Sequence, residues 1–131
     1  MAVALHTMTA LGYAKGEQLT SDLLARSVNT NPVVIRRIVA ELVRAGLVAS
    51  QRGAGGGVKL ARDPRQITLW DVYLAIDGTH QFCQPERPGA KQCPVGSCMR
   101  DVLSDVFSDI DRALQRQLES VTIADMVRRV G

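Results

Sequence analysis

Basic side chains in this sequence concentrate between residues 26 and 62. Seven residues there are basic and Glu41 alone is acidic, so the segment carries a formal charge of +6 in a chain whose total is +3. The seven are Arg26, Arg36, Arg37, Arg44, Arg52, Lys59 and Arg62. An ordinary solvent-exposed surface carries both signs of charge, whereas a surface that binds a polyanion carries mainly positive charge. The distribution therefore indicates a segment that binds a polyanion.

Three cysteines, Cys83, Cys93 and Cys98, are the other candidates for chemistry. Their spacing matches no paired Cys-x-x-Cys zinc site. As thiolates they could hold a 2Fe–2S cluster if His80 or a partner subunit supplied a fourth ligand. They could instead form a redox-sensitive pair, in which Cys98, expected just ahead of a long helix and close to Arg100, is the nucleophile and Cys93 or Cys83 resolves it. A third interpretation gives these thiols no role, and the sequence leaves all three open.

A polar turn at residues 29–31 joins two short predicted helices. Asn31 caps the second helix, and Pro32 occupies its first position, where a missing N–H costs nothing. The apolar stripe that this helix buries comprises Ile35, Ile38, Val39 and Leu42. Arg36 and Arg37 lie off that stripe. The pattern predicts a helix-turn-helix whose second helix enters a DNA major groove, where arginine reads guanine or pairs with phosphate.

Two β-like runs, residues 47–50 and 58–61, follow the second helix directly and predict a hairpin. Their glycine-rich connection, residues 51–57, includes Arg52, and Lys59 lies in the second run. Glycines allow a backbone to approach a phosphate chain closely, and the two cations add charge. A nucleotide-binding glycine loop needs a helix after the glycines, so their position between two strands excludes that class of site. The hairpin is predicted to be the wing of a winged helix-turn-helix.

The remaining pattern predicts a mainly α-helical fold with this one small β-hairpin. A largely buried helix covers residues 3–15, Thr20 caps the next helix, and Thr68 and Asp71 form a capping box that opens a helix to about Ile76. A loop containing the three cysteines covers 77–97. A long amphipathic helix then extends to about residue 118, with one wide stripe of Met99, Val102, Leu103, Val106, Phe107, Ile110, Ala113 and Leu114. Because one small domain offers little to cover that stripe, we expect a twin helix to cover it in a homodimer.

Length and composition bound the class of protein. The chain of 131 residues is one domain's worth, with 46% hydrophobic but only 4% aromatic residues, which suits a helical core of Leu, Val, Ile and Ala. No run approaches the roughly 20 apolar residues that span a bilayer. The first residues lack the positive charge of a signal peptide, and the odd number of cysteines favours reduced thiols, so we expect a cytoplasmic protein that contacts no membrane.

Four ordered motifs, at residues 29–37, 52–60, 67–72 and 122–125, resemble those of the Rrf2 family of bacterial repressors, the group of IscR, NsrR and CymR. The resemblance covers nearly the whole chain. It implies a winged-helix domain, a long dimerisation helix and binding to palindromic operators in double-stranded DNA. The domains expected on this basis are a DNA-binding domain at 1–76, a cysteine-containing sensory loop at 77–97, and dimerisation and C-terminal helices at 98–131.

The resemblance also assigns residues. The DNA-binding positions that it implies are Asn29, Thr30, Asn31, Pro32, Val33, Arg36 and Arg37 in the recognition helix, with Arg52, Gly55, Gly56 and Lys59 in the wing. Iron–sulfur members of the family carry three cysteine ligands in the equivalent loop, but their triplet is compact. Here nine residues separate the first pair of cysteines and four the second.

The sequence therefore predicts a sequence-specific DNA-binding transcriptional regulator that acts as a repressor. A response to redox or to iron–sulfur chemistry at the loop cysteines is one candidate for its signal, and the interpretation without a thiol role stays open. An alternative is a winged helix used only for protein contacts. A thiol oxidoreductase is disfavoured because it needs a βαβ scaffold and a close Cys-x-x-Cys pair, and neither pattern is present. We therefore expect no enzyme activity and no catalytic residues.

Overall fold

A computed structural model describes residues 1–78 and 87–131. The described residues form six α-helices, one short 3-10 helix and two strands: α1 (Ala2–Tyr13), α2 (Ser21–Val28), α3 (Pro32–Arg44), β1 (Val48–Gln51), β2 (Gly57–Leu60), the 3-10 helix (Pro64–Gln66), α4 (Leu69–Asp77), α5 (Pro94–Glu119) and α6 (Ile123–Val130). They divide into two compact units. The first unit comprises residues 1–78 and 118–131, and the second comprises the described residues within 79–117. The predicted fold class, mainly helical with one hairpin, is confirmed.

Side-chain caps set the start of both helices in the helix-turn-helix, as predicted. Thr20 Oγ1 accepts a hydrogen bond from Leu23 N at 3.1 Å at the start of α2, and Asn31 Oδ1 accepts one from Val33 N at 2.9 Å at the start of α3. Between them, Asn29 adopts the left-handed conformation with φ of 62° and ends α2. Asparagine tolerates this conformation better than most residues, so the turn needs no glycine.

The hairpin consists of β1 and β2 in antiparallel register, from Val48 opposite Leu60 to Gln51 opposite Gly57. β1 lies one residue later than predicted and β2 one residue earlier. The second strand of the hairpin also pairs with the α1–α2 connection: Leu19 N donates to Val58 O at 2.9 Å, and Val58 N donates to Leu19 O at 2.8 Å. This extra pairing fixes the hairpin to the helices that carry it.

One apolar core holds the first unit together. Its fully buried large side chains come from each part of that unit: Met8, Leu11, Leu24, Ile35, Leu42, Leu47, Ile67, Val72 and Ile123. Each such side chain contributes about 1.5–3 kcal/mol relative to an exposed one. Tyr13 and Leu23, two apolar side chains of α1 and α2, are exposed. Tyr13 is the last residue of α1, and Leu23 lies in the first turn of a short helix, where fewer neighbours can cover a side chain.

The C-terminal helix α6 belongs to this first unit, although the sequence grouped it with the dimerisation segment at 98–131. Ile123 N donates to Ile67 O at 2.9 Å, and Leu69 N donates to Val121 O at 2.9 Å. α6 also packs on α1, where a Cβ added at Gly12 would lie 2.9 Å from Val127 Cγ2. Glycine at position 12 thus permits the two helices to approach closely.

The second unit contains most of the long helix. α5 begins at Pro94, four residues before the predicted start at 98, and ends at Glu119. Within the part of the chain that the structure describes, no residue of α5 is buried. Val102, Val106 and Ile110 of its apolar stripe are 48%, 47% and 38% exposed. Among residues 1–78 and 87–131, no helix is both long and apolar enough to cross a membrane.

Candidate nucleic-acid interface

The outer face of α3 is the centre of the candidate interface. Ile35, Val39 and Leu42 are buried and fix the inner face of the helix against the core. The residues between them, Arg36 and Arg37, are exposed. The geometry thus matches the predicted arrangement of a recognition helix, because two cations project from a rigidly anchored helix.

Val33 adds an apolar group to this outer face. It occupies the first turn of α3 and is 55% exposed. Exposure of a single valine needs no explanation by itself. Beside Arg36 and Arg37 on a helix that could enter a major groove, however, a branched apolar side chain is suited to contact a thymine methyl group.

The polar residues before α3 differ in how much of each remains exposed and available to bind a ligand. Asn31 commits its side-chain oxygen to Val33 N, so its first role is structural. Thr30 is half-buried, and its backbone N donates to Ala25 O at 2.9 Å. Pro32 is also half-buried, at the first position of α3. Asn29 is exposed in its left-handed conformation and is the member of this group best placed to contact a ligand.

The glycines of the wing fall into two kinds. Gly53 and Gly55 have φ values of 98° and 76°, and a Cβ at either would meet no described atom within 4 Å. They make the turn and leave its outer side open. Gly56 serves the turn itself, because a Cβ there would lie 2.3 Å from the backbone oxygen of Gln51. Gly57 likewise allows the close approach of Leu19, whose backbone oxygen would lie 2.8 Å from an added Cβ.

The wing carries its charge on exposed side chains. Arg52 follows β1 directly and Lys59 lies within β2, and both are exposed. Gly55 and the exposed Arg52 lie at the tip, where a backbone can approach a phosphate chain. The first unit therefore presents two basic features, the outer face of α3 and the wing that follows it along the chain.

Asp22 is a member of this surface that the sequence analysis missed. Its Oδ1 atom lies 3.8 Å from Arg36 Nη2, and the two side chains are 72% and 61% exposed. The pair joins the first turn of α2 to the first half of α3. No local pattern links positions 22 and 36, so only the folded arrangement of the two helices identifies the contact.

Two of the three cysteines lie among the described residues, and Cys83 and His80 lie outside them. Cys93 immediately precedes α5. Cys98 lies inside α5, so the expectation that it precedes the first turn of the long helix is wrong. Its thiol donates a hydrogen bond to Pro94 O at 3.0 Å. The helix begins earlier than predicted because proline fits its first position, although Pro94 and Gly96 resemble loop residues in the sequence.

Cys93 and Cys98 are the described members of the candidate donor set for a metal. Among residues 1–78 and 87–131, no group of three or more His, Cys, Asp or Glu side chains could hold a metal ion. Cys93 and Cys98 are both exposed free thiols. The described residues alone thus do not supply the ligands of an iron–sulfur cluster. His6, the other histidine, is hydrogen-bonded through Nε2 to Ser27 Oγ at 2.9 Å.

Comparison with known proteins extends over nearly the whole chain. The family model "Rrf2: Iron-dependent Transcriptional regulator" matches residues 1–129. The "Putative HTH-type transcriptional regulator YwnA" of Bacillus subtilis (strain 168) is 34% identical over 131 residues, which cover 99% of this chain and 96% of that protein. The structure of T. potens IscR is similar with a TM-score of 0.72 at 25% identity, over 98% of this chain and 82% of that one. The structure of CymR from B. subtilis shares the fold, with a TM-score of 0.70 at 23% identity over 96% and 91% of the two chains.

Proposed function

This chain belongs to the Rrf2 family of transcriptional regulators, and we propose that it is a cytoplasmic repressor that binds a palindromic DNA operator as a homodimer. The observation that carries the proposal is the outer face of α3, where Arg36 and Arg37 are exposed while the opposite face is locked into the core. A fixed helix with exposed arginines can read bases, because the donors of each guanidinium are presented in a defined direction.

The recognition helix and the wing have separate roles in this proposal. The first turns of α3 enter the major groove, where Arg36 and Arg37 donate to guanine or phosphate and Val33 contacts a thymine methyl group. Asn29 reaches the duplex from the turn before α3. Arg52 and Lys59 of the wing bind phosphates on the flanking backbone. The open side of the turn at Gly55, in a turn that Gly56 makes possible, lets the tip approach the duplex closely.

Pairing of two copies follows from α5. No residue of its apolar stripe is buried in the single chain, and Met99, Val102, Val106 and Ile110 are exposed. A second α5 offers a matching stripe for it to pack against. In a symmetric dimer the two recognition helices would meet successive major grooves, about 34–36 Å apart on one side of the duplex. A symmetric protein then requires a symmetric operator.

We assign signal reception to the cysteine segment at 77–97 together with Cys98. An anaerobic visible spectrum of the freshly purified protein, with iron and sulfide assays, separates the two chemistries that three thiols allow. Visible absorption with bound iron identifies a cluster. A colourless protein whose operator affinity falls on mild oxidation, and returns on reduction, identifies a thiol pair among Cys83, Cys93 and Cys98.

The function is tested by selection from random DNA. Duplexes retained by the purified protein from a random-sequence library should converge on a palindrome, and binding should weaken steeply with salt. Arg36→Ala should relax the sequence preference, whereas Lys59→Ala should weaken binding to every duplex alike. Recovery of an unbiased library, at low salt and under both oxidising and reducing conditions, would refute the proposed function. It would favour a winged helix that contacts only proteins.

A further inference from the structure

The carboxylate of Asp22 lies beside Arg36 and can influence whether this arginine binds a DNA phosphate or a base. Asp22 Oδ1 lies 3.8 Å from Arg36 Nη2, and both side chains are more than half exposed. A contact of this length and exposure holds two charges near one another but contributes little to stability, about 0–1 kcal/mol. A role in folding is therefore a poor explanation of the pair.

The helix that carries Asp22 holds its backbone in place. Asp22 is the second residue of α2, in the first turn of that helix. Leu24 and Ala25 of the same helix are buried in the core. The carboxylate therefore lies next to the outer face of α3.

The negative charge of Asp22 affects the two ligands available to Arg36, a phosphate and a guanine, differently. A DNA phosphate that approaches Arg36 also approaches Asp22, and the two anions repel each other. The edge of guanine is uncharged, so it can accept hydrogen bonds from Arg36 while Asp22 still neighbours the same guanidinium. Arginine has five N–H donors, which is enough to serve both groups at once. Asp22 thus disfavours the binding of a phosphate by Arg36 and leaves the binding of guanine possible. Repulsion of the unwanted ligand is a common source of selectivity in interfaces.

We propose that Asp22 is a specificity-determining positioning residue, which suppresses phosphate binding by Arg36 and so reserves this arginine for a base. The proposal rests on the proposed function and adds a residue that the recognition helix itself does not contain. Removing the charge of Asp22 should therefore strengthen binding to unrelated DNA more than binding to the operator.

The experiment uses two duplexes of equal length and composition. One is the sequence that the full-length parent selects from a random library, and the other is a scrambled version of it. The discrimination ratio is the Kd for the scrambled duplex divided by the Kd for the selected one. In Asp22→Asn this ratio should fall by about two- to fivefold, the range that an exposed ion pair can supply. Most of the change should come from tighter binding to the scrambled duplex, with a steeper salt dependence.

Three variants separate this role from general effects of charge and folding. Asp101→Asn is the matched control, because it makes the same chemical change at an exposed position of α5, outside the helix-turn-helix. Asp22→Glu keeps the negative charge and should show the same discrimination ratio as the parent. In an Arg36→Ala background, Asp22→Asn should leave the ratio unchanged, because the arginine through which it acts is gone.

The outcomes are distinct. A parent that selects no sequence at all refutes the proposed function, and the role of Asp22 falls with it. A parent that discriminates, with an Asp22→Asn ratio equal to that of the parent or of Asp101→Asn, refutes the role of Asp22 alone. The same conclusion follows if Asp22→Asn still lowers the ratio when Arg36 is absent.

Discussion

Replacing Asn31 by alanine removes the side chain that caps the candidate recognition helix. In the first turn of α3, Pro32 has no N–H to satisfy, and the backbone N–H groups of Val34 and Ile35 point to Asn31 O at 3.0 and 3.4 Å. The N–H of Val33 is the amide that the Asn31 side chain serves, at 2.9 Å. Alanine keeps the backbone carbonyl and loses only this bond, so the substitution isolates one cap.

The expected loss follows from that single bond. Replacing an asparagine cap by alanine costs about 1 kcal/mol of unfolding free energy. For a chain of this size, 1 kcal/mol lowers the Tm by about 4 °C. Thermal unfolding followed by circular dichroism, together with urea titration, measures both quantities. Since the first turn of α3 also carries Val33, we expect operator binding to weaken in parallel as this turn frays.

Asn31→Asp separates the cap from any contact with DNA. Aspartate keeps an oxygen for Val33 N and adds a charge that the helix N-terminus favours, so the Tm should equal or exceed that of the parent. The same charge should repel a duplex bound at this end of α3, and affinity should fall. The reasoning fails if Asn31→Ala melts with the parent, or if Asn31→Asp melts as early as Asn31→Ala.

Three further predictions concern the wing, the long helix and a surface carboxylate. Gly56→Ala places a Cβ 2.3 Å from a backbone oxygen and should disorder the hairpin. Gly55→Ala meets no such clash and should cost only about 1–2 kcal/mol of stability, because its φ is 76°. Amide NMR spectra and DNA affinity should therefore show the larger loss for Gly56→Ala. Val106→Asp should yield a folded monomer by light scattering, while Val106→Leu stays dimeric; a dimeric Val106→Asp contradicts pairing through α5. A hydrogen bond from the side chain of Arg65, and a weaker effect of its backbone N–H, lower the pKa of Asp63 from 3.8 to about 2. The stability that this contact contributes is therefore present above pH 4 and is lost as the pH falls through 2. An NMR titration of Asp63 should show that midpoint, and Arg65→Ala should raise it.

Local signals in the sequence were sufficient for the parts of the fold that depend on neighbours along the chain. Thr20, Asn31 and the pair of Thr68 and Asp71 each predicted a cap, and each cap is present. The reason is physical: a cap needs one acceptor within three residues of the amide it serves, so a short window of sequence contains the whole interaction. The fold class followed from the order of these elements.

Features set by distant contacts were not predictable in the same way. The pairing of Leu19 with Val58 joins segments that are distant in the sequence, and α5 starts at a proline that the pattern placed in a loop. The contact of Asp22 with Arg36 has no local trace at all. The DNA contacts at the positions named from the sequence stay predictions, and the variants of Arg36 and Lys59 test them.

The pairing of Thr68 with Thr122 has a consequence for how this architecture can vary. The bridge brings together the entries of α4 and α6, and each entry is secured by its own capping box. Everything from 79 to 117 is thus an insertion into a winged-helix unit whose two sequence segments are joined independently of it. Lengthening such an insertion adds little closure entropy, because that cost grows only logarithmically with loop length. In the homodimer proposed above, a change in the length of this insertion would alter the spacing of the two DNA-binding units and leave the fold of each unit unchanged.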